Sequence, residues 1–334
     1  MSSTVRRLAA LPAAFLAASL LLTACGGDDE EDNAGGSSDD AGSSSSETRT
    51  LTGADGTEVE IPSDPQRVVT LSEPTLDAAL ALGVTPVGTS AGRGQEGASA
   101  YLAEAGGADI PVVATTAEPD LEAIAELAPD LILVDETVGA KTMAEQLGGI
   151  APTFFASTQQ DGWRDAFTTA ADALNRTDEA DQVLADLDAG IEEVAGQLGD
   201  NAGAVTSVIR WQEGAPSVVG QGEGHVGSVL AALGLTRPES QQSAVQEHSE
   251  PVSLEEIELI DGDWLFFGTL GTVEDGGTAL AEAMDTSGFA DLDAVTSDHV
   301  VVVDGSAWNS SGGPLAAQIV LDDVAEAMAG TPAE

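Results

Sequence analysis

The sequence predicts an α/β protein made of two similar lobes, each a central sheet flanked by helices, joined by a single long rigid helix. Strand-like and helix-like segments alternate along the chain, one motif occurs twice in the same order, and a helical stretch of about 20 residues separates its two copies. A cleft between the lobes is the expected ligand site.

The first lobe is expected over residues 49–160. A short apolar strand at residues 68–71 leads into a helix from Pro74 to Gly83, since proline suits the first helical turn and glycine follows the last. The next segments are predicted in turn as strand, helix, strand, helix and strand, over residues 85–89, 121–128, 131–134, 141–147 and 152–156.

The second lobe is expected over residues 201–334 and repeats this alternation. Its predicted strands are residues 205–211, 217–219, 264–267 and 300–303. Its predicted helices are residues 226–233, 254–260 and 315–328.

A motif of the form Leu-Glu-x-Ile-x-x-Leu/Ile-x-x-Asp-x-Ile/Leu occurs once in each lobe. Its members are Leu121, Glu122, Ile124, Leu127, Asp130 and Ile132 in the first copy, and Leu254, Glu255, Ile257, Ile260, Asp263 and Leu265 in the second. The repetition indicates two copies of one architecture.

Residues 161–200, between the lobes, are predicted to be helical. Apolar residues recur there at helical spacing, at Val183, Leu187, Ile191 and Val194. A helix of about 20 residues spans roughly 30 Å, so it would hold the lobes at a nearly fixed angle.

Charge and composition exclude several classes of partner. The 334 residues include 10 basic and 58 acidic ones, for a formal net charge of −48. Phosphate backbones need clustered Lys and Arg, so we expect no nucleic acid partner. The only cysteine is Cys25, which excludes an internal disulfide or a cysteine-built metal site.

The N-terminus has the parts of a secretory signal over residues 1–24. Arg6 and Arg7 precede an apolar run at residues 8–22, which is shorter than the roughly 20 residues of a membrane span. The small residues Thr23 and Ala24 then precede Cys25.

The string Leu-Thr-Ala-Cys-Gly at residues 22–26 resembles a bacterial lipobox, which implies cleavage before Cys25 and lipidation of that residue. The alternative is an ordinary signal followed by a free thiol. Residues 25–48 are mostly Gly, Ser, Asp and Glu and are expected to form a disordered tether. The mature protein is therefore expected on the extracytoplasmic face of the cell membrane, held by its lipid anchor.

The body, over about residues 50–330, resembles the substrate-binding proteins of iron-siderophore, haem and cobalamin ABC importers. The resemblance rests on Pro-Gln-Arg-Val-Val-Thr-Leu at residues 65–71, Leu-Gly-Val-Thr-Pro-Val-Gly at residues 82–88, the motif at residues 121–132 and the crossing helix. It implies a protein that is not an enzyme, that is expected to be a monomer, and that docks on a permease dimer with its ATPase. It also implies docking carboxylates, which match Glu122 and Glu255.

Basic residues at strand ends are the first candidates for the ligand, because open α/β sheets bind ligands beyond the carboxyl ends of their strands. Arg93 and Arg210 fit this position, and guanidinium groups suit the oxygens of an anionic ferric siderophore. Trp211 and Trp308 are the aromatic candidates, with Glu73 and Tyr101 as further residues of the cleft. Trp163 is expected to pack in the core.

Other functions stay open at this stage. Cobalamin or haem would suit the same fold, and so would a tethered sensing or interaction module. A receptor for bare zinc or manganese would need converging ligands, whereas the histidines, His225, His248 and His299, are far apart in sequence. The Gly-rich segment at residues 219–225 lacks the Lys-Ser/Thr of a phosphate loop and is expected at the rim of the cleft. No cofactor and no protein-held metal are expected, since the iron would arrive with its chelator.

Overall fold

Two separate β-sheets, one on each side of a long helix, form the framework of the computed structural model, which describes residues 47–115, 117–219, 224–242 and 251–329. The signal peptide, Cys25 and nearly all of the predicted tether lie outside these residues. No helix in the described part of the chain is long and apolar enough to cross a bilayer.

The strands of the first half form a small hairpin and a five-stranded sheet. They are β1 (Thr48–Thr52), β2 (Glu58–Pro62), β3 (Val68–Thr70), β4 (Gly88–Ser90), β5 (Val112–Ala114), β6 (Leu131–Asp135) and β7 (Thr153–Ser157). The large sheet has the order β5-β4-β3-β6-β7, and all its neighbouring strands are parallel. β3 and β6 are fully buried, as the central strands of a parallel sheet should be.

The helices of the first half connect these strands. They are α1 (Glu73–Ala81), α2 (Ala100–Leu102), α3 (Leu121–Glu126), α4 (Val138–Gly148) and α5 (Trp163–Leu174). α1 begins in a capping box in which Ser72 and Thr75 satisfy each other's backbone N–H groups. After it, Gly83 takes a positive φ of 71°, a conformation that glycine adopts without strain.

The crossing helix, α6 (Thr177–Gln197), has 21 residues and follows the first sheet. It buries Leu187, Ile191 and Val194, the residues whose spacing predicted it. These side chains belong to a hydrophobic cluster that combines residues of both halves, including Leu76 from α1.

The second half contains a four-stranded sheet with the order β11-β10-β8-β9. Its strands are β8 (Thr206–Gln212), β9 (Ala215–Val218), β10 (Trp264–Gly268) and β11 (Val300–Val302), and its helices are α7 (His225–Ala232), α8 (Val273–Met284), α9 (Asp293–Thr296), α10 (Gly305–Trp308) and α11 (Pro314–Met328). β8 and β9 form an antiparallel hairpin, whereas β10 is parallel to both its neighbours.

The repeated motif plays the same structural part in both halves. Asp130 accepts hydrogen bonds from the backbone N–H groups of Gln66 and Arg67 just before β3, at 2.8 and 2.9 Å. Asp263 accepts one from the N–H of Val205 just before β8, at 2.7 Å. In each half, one aspartate therefore joins the starts of two neighbouring parallel strands.

Two predicted elements differ from the structure. The strand expected at residues 85–89 is the shorter β4, because residues 84–87 form no sheet pairs. Residues Leu254–Ile260 form a 3₁₀ helix, because Glu256 departs from helical geometry at φ −119° and ψ 30°. The strands β1, β2 and β5 and the helices α2, α8, α9 and α10 were not predicted.

Gly305 offers a test of the packing beside β10. A Cβ atom on Gly305 would lie 2.6 and 2.8 Å from the backbone C and N of Thr269. We predict that Gly305→Ala lowers the free energy of unfolding by about 1–3 kcal/mol, the usual cost of overpacking. Urea unfolding of the compact unit Ser45–Glu334 measures it.

Gly277→Ala is the matched control, since a Cβ on Gly277 in α8 would meet nothing within 4 Å. This control should raise stability by up to about 1 kcal/mol, because alanine is the better helix former. Equal stability of Gly305→Ala and the parent protein would contradict the packing described here.

Candidate ligand-binding cleft

A cavity of about 530 Å³ lies between residues of the two halves. The first half contributes residues that follow β3, β4, β6 and β7, and the second half contributes the start of α7 and the segment after α10. Its polar and aromatic lining residues include Ser72, Glu73, Arg93, Asp135, Glu136, Thr137, Thr158, Asp161, Trp163, His225, Asn309 and Ser310.

The position of the cavity follows from the order of the first sheet. The chain moves outward from β3 to β4 and β5 and then returns to the other side of β3 with β6 and β7. A crevice forms at the carboxyl ends of the strands where the order reverses. Glu73 follows β3 and Asp135 ends β6, so the two residues lie on opposite sides of this crevice.

Glu73 and Arg93 form the charged part of the wall near β3 and β4. The Glu73 carboxylate accepts a short hydrogen bond from the Ser99 hydroxyl and one from the Arg93 backbone N–H at 3.3 Å. The Arg93 Nε lies 3.9 Å from it, and 38% of the Arg93 side chain is exposed. Burial raises the pKa of Glu73, while the Ser99 hydrogen bond and the charge of Arg93 oppose that rise.

Arg210 lies behind this wall rather than in it. It is 6% exposed and does not line the cavity, and its Nε has no hydrogen-bond partner among the described residues. Burial lowers the pKa of Arg210, and repulsion from Arg93 lowers it further, so the two guanidinium groups are close enough to interact. This part of the cleft therefore holds two positive charges and one loosely paired carboxylate.

The segment after α10 adds buried polar atoms to the lining. Asn309 Nδ2 donates to the carbonyl of Thr269 at 2.7 Å, whereas Asn309 Oδ1 has no hydrogen-bond partner among the described residues and the Ser310 side chain interacts with the Glu73 carboxylate. Both residues line the cavity and are at least nine-tenths buried. Buried polar atoms usually have partners, so Asn309 Oδ1 is suited to accept a hydrogen bond from a ligand.

Carboxylates occupy the other side of the cavity, beyond β6 and β7. Asp135 accepts from the Thr137 backbone N–H at 2.9 Å, and Asp161 accepts from the backbone N–H and hydroxyl of Thr158 at 2.7 and 2.8 Å. Glu136 pairs with Lys141 at 2.6 Å, and that hydrogen bond lowers the pKa of Glu136.

His225 begins α7 and lies in the wall with little exposed surface. Its Nε2 is 2.6 Å from the carbonyl oxygen of Ala307, so Nε2 carries the proton and donates it to that oxygen. Burial lowers the pKa of His225 to about 4, although the Ala307 hydrogen bond opposes this. His225 is thus neutral at physiological pH.

Three predicted ligand residues, Arg210, Trp211 and Tyr101, do not line the cavity. Trp211 packs against Phe267 and Phe289, at ring distances of 5.9 and 5.8 Å, on the opposite face of β8 from Arg210. Tyr101 is buried and donates its hydroxyl to Asp77 at 3.1 Å.

Trp308 borders the cavity but has no exposed surface. Its ring stacks on Phe266 at 4.7 Å, and its indole N–H donates to Asp323 at 2.7 Å. Trp211 and Tyr101 are therefore packing residues in this structure, which corrects the expectation that they contact the ligand, whereas Trp308 belongs to the lining of the cavity.

The sequence interpretation also missed residues of the site. Trp163 was expected in the core, and it does belong to a core cluster, yet it also lines the cavity while donating to the Ser228 hydroxyl at 2.8 Å. Asp135, Asp161 and Asn309 were not considered. Asp135 could have been found from its position at the carboxyl end of a buried strand, because the same rule selected Arg93.

Glu122 and Glu255 are both exposed in the first turns of α3 and the 3₁₀ helix at Leu254–Ile260. The side chains of Asp120 and Ser253 cap these turns. Each glutamate lies two residues before the buried isoleucine of its repeated motif, so the two occupy equivalent positions.

No group of three or more His, Cys, Asp or Glu residues in the described part of the chain is arranged to hold a metal ion. His299 stacks on Trp264 at 4.2 Å, and His225 is held by Ala307. His248 lies outside the described residues.

Comparison with known proteins agrees with this architecture. Residues 68–307 match the family model described as periplasmic binding protein. The chain belongs to this family. The resemblance found in the sequence, and the fold class predicted from it, are thereby confirmed.

Relatives in the family include two proteins of Bacillus subtilis. The probable siderophore-binding lipoprotein YfiY is 33% identical over 286 residues, which cover 84% of this chain and 87% of YfiY. The Fe(3+)-citrate-binding protein YfmC is 30% identical over 283 residues, which cover 83% of this chain and 85% of YfmC.

Among solved structures, Staphylococcus aureus SirA complexed with staphyloferrin B is similar to this chain. The TM-score is 0.70 at 26% identity, and the match covers 84% of this chain and 98% of SirA. The relatives and this neighbour are solute-binding proteins, in accord with a cleft formed between two halves.

The buried histidine gives a prediction for this site. Since the pKa of His225 is lowered to about 4, we expect its ring to stay neutral, with the proton on Nε2, from pH 8 down to pH 5. Nitrogen-detected NMR of the imidazole groups measures this, with His225→Gln to assign the signals. A midpoint near the ordinary value of about 6.5 would contradict the buried position.

The same shift has a stability consequence whose sign is fixed. A histidine whose pKa falls on folding contributes stability that is complete above its unfolded pKa and is lost as the pH falls toward its folded pKa. The His225→Gln variant should therefore lose less stability than the parent protein between pH 6.5 and pH 4.

Proposed function

We propose that this chain captures a ferric siderophore, or a related iron chelate, outside the cytoplasm and delivers it to an ABC importer. The observation that supports this most directly is the guanidinium group of Arg93 in the wall of the cavity, with the buried guanidinium group of Arg210 behind it. Arg93 and Arg210 repel each other, and Glu73 offsets only part of their charge. An anionic ligand would relieve that repulsion.

The chemistry of ferric chelates suits this arrangement. Such ligands are rich in oxygen and often anionic, and a guanidinium group binds paired oxygens through two parallel hydrogen bonds. Asn309 and Ser310 add polar atoms beside the arginines, and Trp163 offers an aromatic surface. In this proposal the chelate is bound unchanged and the protein catalyses no reaction.

The carboxylates beyond β6 and β7 suit the other parts of such a ligand. Asp135 and Asp161 are acceptors only, so they favour hydroxyl, amide or ammonium groups that donate. The proposed chelate thus places anionic oxygens near Arg93 and hydrogen-bond donors toward Asp135.

The names of the relatives support an iron chelate over other ligands of the family. YfiY and YfmC are named for a siderophore and for ferric citrate, and the SirA structure is a complex with staphyloferrin B. Cobalamin and haem are the alternatives that a ligand panel would reveal. A bare zinc or manganese ion would need converging metal ligands, which the described residues do not supply.

We further propose that the protein works as a monomer, tethered through lipid on Cys25, and that it docks on a permease dimer with its ATPase. The lipobox-like string at residues 22–26 and the lipoprotein name of YfiY support the anchor. The exposed Glu122 and Glu255 support the docking, because each half presents one carboxylate at the same place in its repeat. A tethered sensing module would share these features but transport nothing.

Replacement of the arginines tests the proposed ligand. A charge-assisted hydrogen bond is worth about 1.5–3 kcal/mol, so Arg93→Ala should weaken binding of an anionic ferric chelate by about tenfold or more. Arg210→Ala should weaken it less, because Arg210 does not line the cavity and acts on the ligand only through its charge. Quenching of tryptophan fluorescence by ferric citrate and a panel of ferric siderophores measures the affinity, since Trp163 lines the cavity.

Arg176→Ala is the control, because Arg176 does not line the cavity and lies 4.0 Å from Asp64 in a surface ion pair. It should bind like the parent protein. Unchanged affinity in both test variants would remove the arginines from the site. A response to zinc, haem or cobalamin, with none to any ferric chelate, would refute the iron proposal itself.

The docking role predicts a separation of binding from transport. The double variant Glu122→Ala/Glu255→Ala should retain its affinity for the chelate and yet lose uptake in cells that depend on this protein for iron. Glu192→Ala/Glu193→Ala removes the same charge from an exposed part of α6 and should leave uptake intact. Normal uptake by the first double variant would exclude these two residues as the docking contacts.

A further inference from the structure

Asp77 is a fully buried carboxylate on α1, one helical turn after Glu73. Both of its oxygens accept hydrogen bonds. The donors are the backbone N–H groups of Gly313, Leu315 and Ala316 and the hydroxyl of Tyr101, at 2.9, 3.0, 3.1 and 3.1 Å. Burial raises the pKa of Asp77 to about 6, although all four donors oppose this by favouring the ionised form.

Three of these donors belong to the other half of the molecule. Gly313 is the N-cap of α11, and no side chain of its own segment caps that helix. The first N–H groups of a helix have no partners within it and carry partial positive charge. Asp77 provides the missing cap from a position 236 residues earlier in the chain.

Among the described residues, other hydrogen bonds between the halves are single ones between neutral groups, such as that from the Tyr101 backbone N–H to the Ser306 hydroxyl at 3.2 Å. Trp163 donates to the Ser228 hydroxyl at 2.8 Å, and Gln95 donates to the Leu270 carbonyl at 3.3 Å. A charged acceptor with three donors from the other half is the stronger connection, since hydrogen bonds to charged groups are about twice as strong as those between neutral groups.

The close approach of α11 depends on two glycines. A Cβ atom on Gly313 would lie 2.8 Å from Asp77 Oδ1, and one on Gly312 would collide with Ala316. Ser310 and Gly312, just before this helix, line the cavity. The contact made by Asp77 therefore fixes the backbone that forms one wall of the cleft.

We propose that Asp77 is a positioning residue that sets the angle between the two lobes, and with it the width of the cleft, by capping α11 across the lobe boundary. The effect on affinity rests on the proposed function, whereas the effect on the angle does not. Asp77 does not line the cavity, so its part is to hold the wall in place rather than to contact the ligand.

The test measures the distance between the lobes without a ligand. Nitroxide labels go on Gly148→Cys in α4 and Gly277→Cys in α8, two exposed positions where an added side chain meets nothing within 4 Å. Pulsed electron spin resonance of the unit Ser45–Glu334, which excludes Cys25, gives the distribution of distances. Asp77→Asn should broaden this distribution and shift its centre.

Asp323→Asn is the matched control. Burial also raises the pKa of Asp323 to about 6, but its hydrogen-bond partner is Trp308, within its own half. It should leave the distance distribution unchanged. A distribution for Asp77→Asn that equals the parent's, or an equal shift in both variants, would overturn the proposal.

A second variant approaches the same contact from the other side. Gly313→Ala should push the carboxylate from its donors and reproduce the shift, so the proposal stays testable if Asp77→Asn does not fold. With ferric citrate as the probe, Asp77→Asn should raise the dissociation constant about tenfold. If ferric citrate binds no variant and the parent does not bind it either, the choice of ligand is wrong, and the distance measurement still decides the part played by Asp77.

Discussion

Two separate sheets can bind one ligand only if the edges that face the ligand stay directed toward the same cavity. In this protein the sheets share no strand, so their relation depends on helices that cross between them. α6 links them covalently, and α1 meets α11 through the buried carboxylate of Asp77. Because α1 also begins with Glu73, a single helix joins the wall of the cavity to the contact that holds the lobes.

The distribution of charge is the second organising feature. A chain with a formal net charge of −48 has few cations, and two of them, Arg93 and Arg210, meet beside the cavity. The other basic residues in the described part of the chain have structural partners. Arg67, for example, donates to the carbonyl oxygens of Leu127 and Ala128. The excess negative charge elsewhere on the surface repels a distant anion and offsets its attraction to the two arginines. Recognition therefore depends on short-range contacts inside the cleft.

Much of the framework could be predicted from the sequence because its signals are local. Helical spacing located α6, and the repeated motif located equivalent strands whose aspartates, Asp130 and Asp263, have equivalent partners. The hairpin β1–β2 was missed because only Ile61 of its two strands is fully buried, so the hairpin contributes little to the apolar pattern.

The ligand site was harder to predict, for a geometric reason. Arg210 and Trp211 are adjacent in a strand, so their side chains point to opposite faces and could not both reach one ligand. The strand also continues to Gln212 and turns back into β9, which places Arg210 inside the sheet rather than beyond its end. Tyr101 and Trp308 were selected by type, but only tertiary contacts showed that Asp77 and Asp323 occupy their polar atoms.

Buried polar atoms in the lining of the cavity, such as Asn309 Oδ1, which has no hydrogen-bond partner among the described residues, raise the free energy of the unliganded protein. A buried donor or acceptor without a partner costs free energy, and any chelate that satisfies these atoms recovers that cost on binding. Part of the affinity then comes from the higher free energy of the unliganded protein. The protein can therefore favour binding without further contacts that would also slow release of the ligand to a transporter.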